Sequence, residues 1–345
     1  MTTSTPTWPA LLTDLIAGRD LTYAETSWAM DRIMNDEVSP VLLAAFLVGL
    51  ATKGESVAEL RALADTMLEH STPIEVGSGA VDIVGTGGDR AKTVNISTMA
   101  ALVIAGAGVP VAKHGNRASS SASGSADVLE QLGVDLNLPV ARVAEAYEQV
   151  GITFFFATVF HPSMRFAAPT RRELGVGTAF NVLGPLTNPA RPAACAIGVA
   201  SERHAPLVAG VLAERGTHAL VFRGANGLDE LTSTARNQVW QVCDGTVRYE
   251  EFDATDLGLA PSTIDDLRGE DAVYNADVAR RVFAGEDDIV AQTVALNAAA
   301  GLFAHAGARG PLVEGLATHY AKARETLSSG AAQSVLDAWV RFSAR

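Results

Sequence analysis

The sequence predicts an α/β protein: a small all-helical domain plus a larger domain with a mainly parallel sheet flanked by helices. Three observations lead there. Residues 8–70 repeat the apolar spacing of helices, with no alternating run between them. From Val81 onward, short apolar runs alternate with helical stretches. Two of those runs open directly into polar, small-residue loops that precede a helix, which is where ligand sites gather in such sheets. The 345 residues allow one large domain or two modest ones, and 48% apolar content suffices for a sizeable core. The expected division is a helical domain over 1–76, completed by helices near 172–190, and an α/β domain over 77–345.

In the helical part, Leu11, Leu12, Leu15 and Ile16 fit one helix face. Residues 24–34 form a second helix. Residues 41–51 are apolar around most of a helical circumference, so that segment is buried in a core or an interface. We expect the module to contribute a dimer contact; burial within the monomer is the alternative. Ser56 with Glu59 spells a capping box that opens the next helix. Strands are expected at 81–84, 109–113, 152–156, 194–199 and 219–223, with helices at 126–132, 140–150 and 205–214. Val239, Trp240, Val242, Val247 and Tyr249 suggest an antiparallel hairpin around Asp244-Gly245. From Ala276 the chain reads as helical to its end.

The formal net charge of −13 argues against non-specific nucleic-acid or anionic-membrane binding, which require basic faces. It also makes local cations telling. The four lysines are Lys53, Lys92, Lys113 and Lys322, and Lys92 and Lys113 lie in the two loops that follow strands. Cys195 and Cys243 are isolated, with no metal spacing and no disulfide framework, which fits a reduced, cytoplasmic setting. The first residues lack the basic region and apolar core of a signal peptide. The longest apolar run, 99–112, falls short of the ~20 residues of a spanning helix.

Four segments carry chemistry. The stretch from Lys113 to Asp127 packs Lys113, His114, Asn116, Arg117 and five serines between a strand and a helix. Backbone N–H groups and the helix dipole favour anionic oxygens there; the alternative is a polar surface loop. Gly85-Thr86-Gly87-Gly88-Asp89 closes the first strand and lets backbone approach a ligand. Its spacing is neither a Walker A loop nor a dinucleotide fingerprint. Ser97 or Thr98 is expected to cap the helix that follows. Arg171-Arg172 are suited to clamp a carboxylate by bidentate hydrogen bonds, or are simply solvated charges beside Glu173. Asp229-Glu230, after a strand, are hard-oxygen ligands for Mg²⁺, or a turn with two solvated acids.

Taken together, Gly85 to Asp89, Asn95-Ile96-Ser97-Thr98, Lys113 to Arg117 with its serines, Arg171 to Gly175, Asn188-Pro189 and Gly227 to Glu230 resemble the anthranilate phosphoribosyltransferase family of the nucleoside phosphorylase-like phosphoribosyltransferases. The likeness runs from about Trp8 to the C-terminus. It implies transfer of phosphoribosyl from phosphoribosyl pyrophosphate to anthranilate in tryptophan biosynthesis. It further implies two Mg²⁺ ions per monomer, a homodimer through the helical module, and a hinge between the domains.

The resemblance assigns phosphoribosyl pyrophosphate to Gly85, Gly88, Asp89 and Thr93, and to Asn95, Ile96, Ser97 and Thr98. It adds Lys113, His114, Gly115, Asn116, Arg117, Ala118, Ser119, Ser120, Ser121 and Ser125. Ser97 meets one magnesium, and Asp229 with Glu230 the other. Gly85, Asn116 and Arg171 hold anthranilate. Lys113, His114, Asn116 and Arg171 are the implied catalytic set, with His114 lining the anthranilate site, taking the late proton, or only ordering the loop. Two departures stand out: Ala122, where relatives often carry Lys, and Arg268-Gly269-Glu270-Asp271, where relatives tend to show Gly-Gly-Asp. The first weakens a peripheral phosphate contact; the second is expected to affect only a loop. Two other readings stay open on the sequence: a pyrimidine nucleoside phosphorylase of the same architecture, and a non-catalytic nucleic-acid-binding relative.

Overall fold

The computed structural model describes residues 5–118 and 123–345. The chain divides into two compact units, one built from the described chain up to Pro73 with Ala157–Pro189, the other from Ile74–Phe156 with Ala190–Arg345. The segment that joins the helical unit spans Ala157–Pro189, beginning earlier than the helices near 172–190 expected to complete it. The first helix after residue 156 shows why. Thr72 donates its N–H to Phe160 O at 2.8 Å and its hydroxyl to Val159 O at 3.1 Å, which ties this stretch to the end of the N-terminal bundle.

The helical unit contains helices Trp8–Ile16, Tyr23–Met34, Pro40–Lys53 and Val57–Glu69, followed by Met164–Leu174. Thr22/Glu25 and Ser56/Glu59 each form a complete capping box. Glu59 does more than cap. Its fully buried carboxylate accepts from Leu21 N and Ser56 N and pairs with Lys53 Nζ at 2.8 Å. Helix Pro40–Lys53 buries Leu43, Phe46, Leu47 and Leu50, yet Val41 is 77% exposed. On the first helix Leu11 and Leu15 are buried, whereas Ile16, expected on the same face, is 87% exposed.

The second unit carries a 7-stranded sheet among the described residues: β1 (Val81–Gly85), β2 (Val111–Gly115), β3 (Ile152–Phe156), β4 (Ala194–Gly198), β5 (His218–Gly224), β6 (Asn237–Cys243) and β7 (Thr246–Phe252). Their order is β3-β2-β1-β4-β5-β6-β7. The first five run parallel; β6 pairs antiparallel with β5, and β7 antiparallel with β6. Asp244 (φ 49°) and Gly245 (φ 74°) both take left-handed conformations, the geometry of a tight hairpin turn that matches strand twist. The core lies between the sheet and two apolar helices, Ile96–Gly106 and Ile289–His305.

The strand order reverses between β1 and β4. In an open α/β sheet the crevice beyond the carboxyl ends at such a reversal is the ligand position. Gly85 and Gly198 end these two strands and are paired in register. β1 and β2, by contrast, share one register pair, Val81 with Val111. Side chains bridge the rest: Asp82 accepts from His114 N at 3.1 Å, and Lys113 Nζ donates to Ile83 O at 2.6 Å. Lys113, at the end of the expected strand, and His114, just beyond it, are both buried residues of β2.

Candidate active site

Beyond β1, Gly87 and Gly88 take φ of 68° and 86°, a conformation that glycine adopts without strain. The turn delivers the chain to helix Ile96–Gly106, whose N-cap is Asn95. Ser97 and Thr98 lie inside that helix, so neither is its cap. The helix starts earlier than expected because Asn95 O already accepts from Thr98 N and Met99 N.

A cleft of about 250 Å³ opens at this point, within the second unit. The glycine turn contributes Gly85, Gly88 and Asp89; the connection to the helix contributes Thr93, Asn95, Ile96 and Ser97. The strand that ends at Gly115 adds Gly115, Asn116, Arg117 and Ala118, with Ser125 opening the next helix. Asp229 and Glu230 complete the wall. Segments far apart in sequence therefore converge on one cavity. The cleft also takes in Thr86, Gly87, Arg90, Lys92 and Ser123, which the resemblance did not assign. Arg90 and Lys92 are exposed cations on its lip.

Asp229 and Glu230 are not solvated turn acids. They are 7% and 8% exposed. Asp229 accepts from Gly87 N at 2.7 Å. Burial first, then the charge of Asp89, pushes its pKa up to about 7. Glu230 is raised well above the usual carboxylate range by burial and by Asp229 and Asp89, with Lys113 opposing. Two carboxyls that hold their protons this tightly are short of positive charge. With the Ser97 hydroxyl at the same cleft, the donors are hard oxygens, the set that Mg²⁺ prefers. The residues present fit that ion.

Lys113 is 1% exposed, and burial lowers its proton affinity against the pull of Asp82 and Glu230. Its Nζ lies 3.4 Å from Ser97 Oγ, so it reaches the site from behind the wall. His114 and Thr98 are buried as well. Thr98 donates to Ser125 Oγ at 3.1 Å. Arg117 donates to Asp127 and Glu130 at 2.7–2.9 Å. Asp127 also accepts from Ala118 N and Gly124 N, which makes it the knot of this bend. Ser119, Ser120 and Ser121, and Ala122, lie outside the described residues. Arg171 belongs to the helical unit, on helix Met164–Leu174, with its guanidinium 5.2 Å from the Phe180 ring centroid.

The segment Arg268 to Asp271 is more than a loose loop. Val94 N donates to Leu267 O, Gly269 N donates to Lys92 O, and Thr93 pairs with Arg268 as an antiparallel bridge. Asn275 Nδ2 donates to Asn95 Oδ1, and Asn95 Nδ2 donates to Ser123 O. The expectation of a merely local effect underrates a segment that braces residues 92–95 at the cleft.

A strand-end cleft with carboxylates and backbone donors, accompanied by a separate helical bundle, defines a class of enzyme, and comparison with known proteins specifies it. A family model described as "Glycosyl transferase family, a/b domain" matches residues 77–333, and one described as "Glycosyl transferase family, helical bundle domain" matches 9–71. The chain is 56% identical over 335 residues to an anthranilate phosphoribosyltransferase of Arthrobacter sp. (strain FB24), covering 97% of this chain and 95% of that one. A Streptomyces griseus protein of the same name is also 56% identical, over 97% of this chain and 95% of its own length. Among solved structures, the anthranilate phosphoribosyltransferase of Thermus thermophilus superposes with a TM-score of 0.90 at 43% identity, covering 97% of this chain and 99% of the other. The Saccharomyces cerevisiae protein in complex with PRPP and Mg gives 0.87 at 25% identity, covering 98% of each. The chain belongs to the anthranilate phosphoribosyltransferase family.

Proposed function

We propose that this chain transfers the phosphoribosyl group from phosphoribosyl pyrophosphate to anthranilate, giving N-(5-phosphoribosyl)anthranilate and pyrophosphate, in tryptophan biosynthesis. The observation that carries the reading is the burial of Asp229 and Glu230 in the cleft wall, with Asp229 against the glycine turn and the start of helix Ile96–Gly106 in the same cleft. Family membership supports it over nearly the whole chain.

Breaking the C1–O bond leaves positive charge on the ribose and negative charge on the pyrophosphate. Preorganised donors aimed at that leaving charge lower the barrier most. The glycine turn and the first turn of helix Ile96–Gly106 offer backbone N–H groups, and exposed Arg90 and Lys92 add cations. Mg²⁺, when bound, would supply further neutralisation of the leaving pyrophosphate. Ser97 would meet one ion and Asp229 with Glu230 the other; Lys113, from behind, offsets the charge of Glu230. Anthranilate's amine is neutral and needs no base to attack, so positioning supplies much of the gain. Asn116 orients the aromatic acid and Arg171 takes its carboxylate. His114, buried in β2, shapes the loop that carries Asn116.

Homodimerisation through the helical unit is part of the reading, supported by the apolar exposure of Ile16, Val41 and Val48 on it. A cytoplasmic setting is supported by two free cysteines. No helix among the described residues is long and apolar enough to cross a membrane.

The test is direct. Anthranilate fluorescence should fall when the protein is mixed with phosphoribosyl pyrophosphate and Mg²⁺, and not when any one component is omitted. Phosphorolysis of thymidine or uridine with no anthranilate consumed would replace this reading with a nucleoside phosphorylase.

A further inference from the structure

The two acids at the cleft ride on a connection that has no ladder of its own. Leu231 and Thr232, directly after Glu230, belong to no helix or strand. Each is nevertheless held at both of its backbone groups by one side chain. Asn297 Oδ1 accepts from Leu231 N at 3.1 Å, and its Nδ2 donates to Leu231 O at 2.8 Å. Asn237 Oδ1 accepts from Thr232 N at 2.9 Å, and its Nδ2 donates to Thr232 O at 2.8 Å. Each carboxamide thus imitates one residue of a neighbouring strand.

Both asparagines are fully buried. Asn297 sits on helix Ile289–His305, which is otherwise apolar almost all round. A carboxamide in such a helix is unfavourable unless every polar atom finds a partner. Here it does, since Nδ2 also donates to Thr293 O at 2.9 Å. The choice of amide has a physical reason. A buried aspartate would lose the donor and add a further negative charge near acids that already repel one another. A leucine would fill the space and leave the Leu231 N–H and C=O without partners.

We propose that Asn297 and Asn237 are positioning residues that fix Asp229 and Glu230 in metal-ligating geometry by clamping the two residues that follow them. The inference rests on the reading of those acids as metal ligands. Outer partners of metal ligands typically set affinity by about 10–100-fold.

The probe is Mn²⁺ alone, followed by electron paramagnetic resonance and by calorimetry on the whole chain. Asn297→Leu and Asn237→Ser should each raise the Mn²⁺ dissociation constant about 10-fold or more. The Mg²⁺ concentration for half-maximal rate should rise in step, while KM for anthranilate stays within about twofold. Leu336→Ala, in the buried face of helix Ala331–Ser343, is the matched control. It should lower Tm and leave Mn²⁺ affinity alone. Hydrogen exchange on the unmutated protein needs no variant to fold. The Leu231 and Thr232 amides should be protected about as well as those of β5, and exchange at open-chain rates would overturn the clamp. Unmutated protein that binds no Mn²⁺ overturns the metal reading, and this inference with it. Mn²⁺ bound equally well by the unmutated protein and the Asn297 and Asn237 variants overturns this inference alone.

Discussion

Gly198 lies so close under Asp229 that a β-carbon on it would sit 1.7 Å from the Asp229 carbonyl oxygen and 2.5 Å from its carbonyl carbon. Gly85, its register partner on β1, is in the same situation: a β-carbon there would lie 2.3 Å from Asp229 Oδ2. The two strand ends at the reversal of the sheet thus form a seat that only paired glycines permit. Gly198→Ala should displace the Asp229 peptide while the sheet itself persists. We expect a stability loss of about 1–3 kcal/mol and a rise of about 10–100-fold in the Mg²⁺ needed for activity. Urea unfolding and a Mg²⁺ titration measure the two, and an unshifted Mg²⁺ midpoint would show that the seat is not needed.

Asp229→Asn combined with Glu230→Gln removes the charge of the pair and nearly conserves its volume. The doubly substituted protein should fold, because two repelling buried carboxylates become neutral. Its rate should respond weakly to Mg²⁺. A Mg²⁺ titration curve identical to that of the parent would remove both residues from the metal site.

Arg171→Ala should raise KM for anthranilate by about 10-fold or more, as loss of a charge-assisted carboxylate contact does. KM for phosphoribosyl pyrophosphate should move far less. Steady-state kinetics with each substrate varied in turn decides the matter: equal effects on the two constants would detach Arg171 from the carboxylate.

Asp127 links the bend after β2 to pH. Burial alone would raise its pKa, but N–H donation from Ala118 and Gly124 and the Arg117 guanidinium outweigh burial and bring it below the ordinary value of 3.8. A carboxyl depressed in the folded state stabilises it above the unfolded pKa, and that contribution fades as pH falls through the folded pKa. The urea midpoint should therefore decline below about pH 4, and Asp127→Asn should flatten part of that decline. Parallel acid limbs for the two proteins would show that Asp127 makes no such contribution.

Glu59→Gln tests the helical unit by itself. The exchange leaves Lys53, whose side chain is 3% exposed, with the solvent-facing Asp20 as its remaining carboxylate beside the Gly54 carbonyl. Removing one partner of a buried ion pair costs about 3 kcal/mol, and the capping box weakens with it. Thermal unfolding followed by circular dichroism should show an early loss of helix. An unchanged Tm would mean that Asp20 and the Gly54 carbonyl satisfy the ammonium without Glu59.

The sequence by itself determined the order of helices and strands, because apolar spacing of 3.6 or 2 residues is written locally. The hairpin at Asp244-Gly245 and the capping box at Ser56 were legible for the same reason: a turn or a cap depends on neighbours within a few residues. The glycine turn, the bend after β2 and the pair Asp229-Glu230 were also visible as motifs, since each is contiguous. Only the tertiary structure decided that Asp229 and Glu230 are buried, that Lys113 and His114 are buried too, and that Arg117 is held by Asp127 and Glu130. Those outcomes depend on which strands become neighbours, and β1 beside β4 joins residues more than a hundred positions apart. The clamp of Asn297 on Leu231 and the seat that Gly198 makes for Asp229 are of the same kind. One asparagine in an apolar helix and one glycine at a strand end carry no local signature, and their roles arise only where another part of the chain is brought against them.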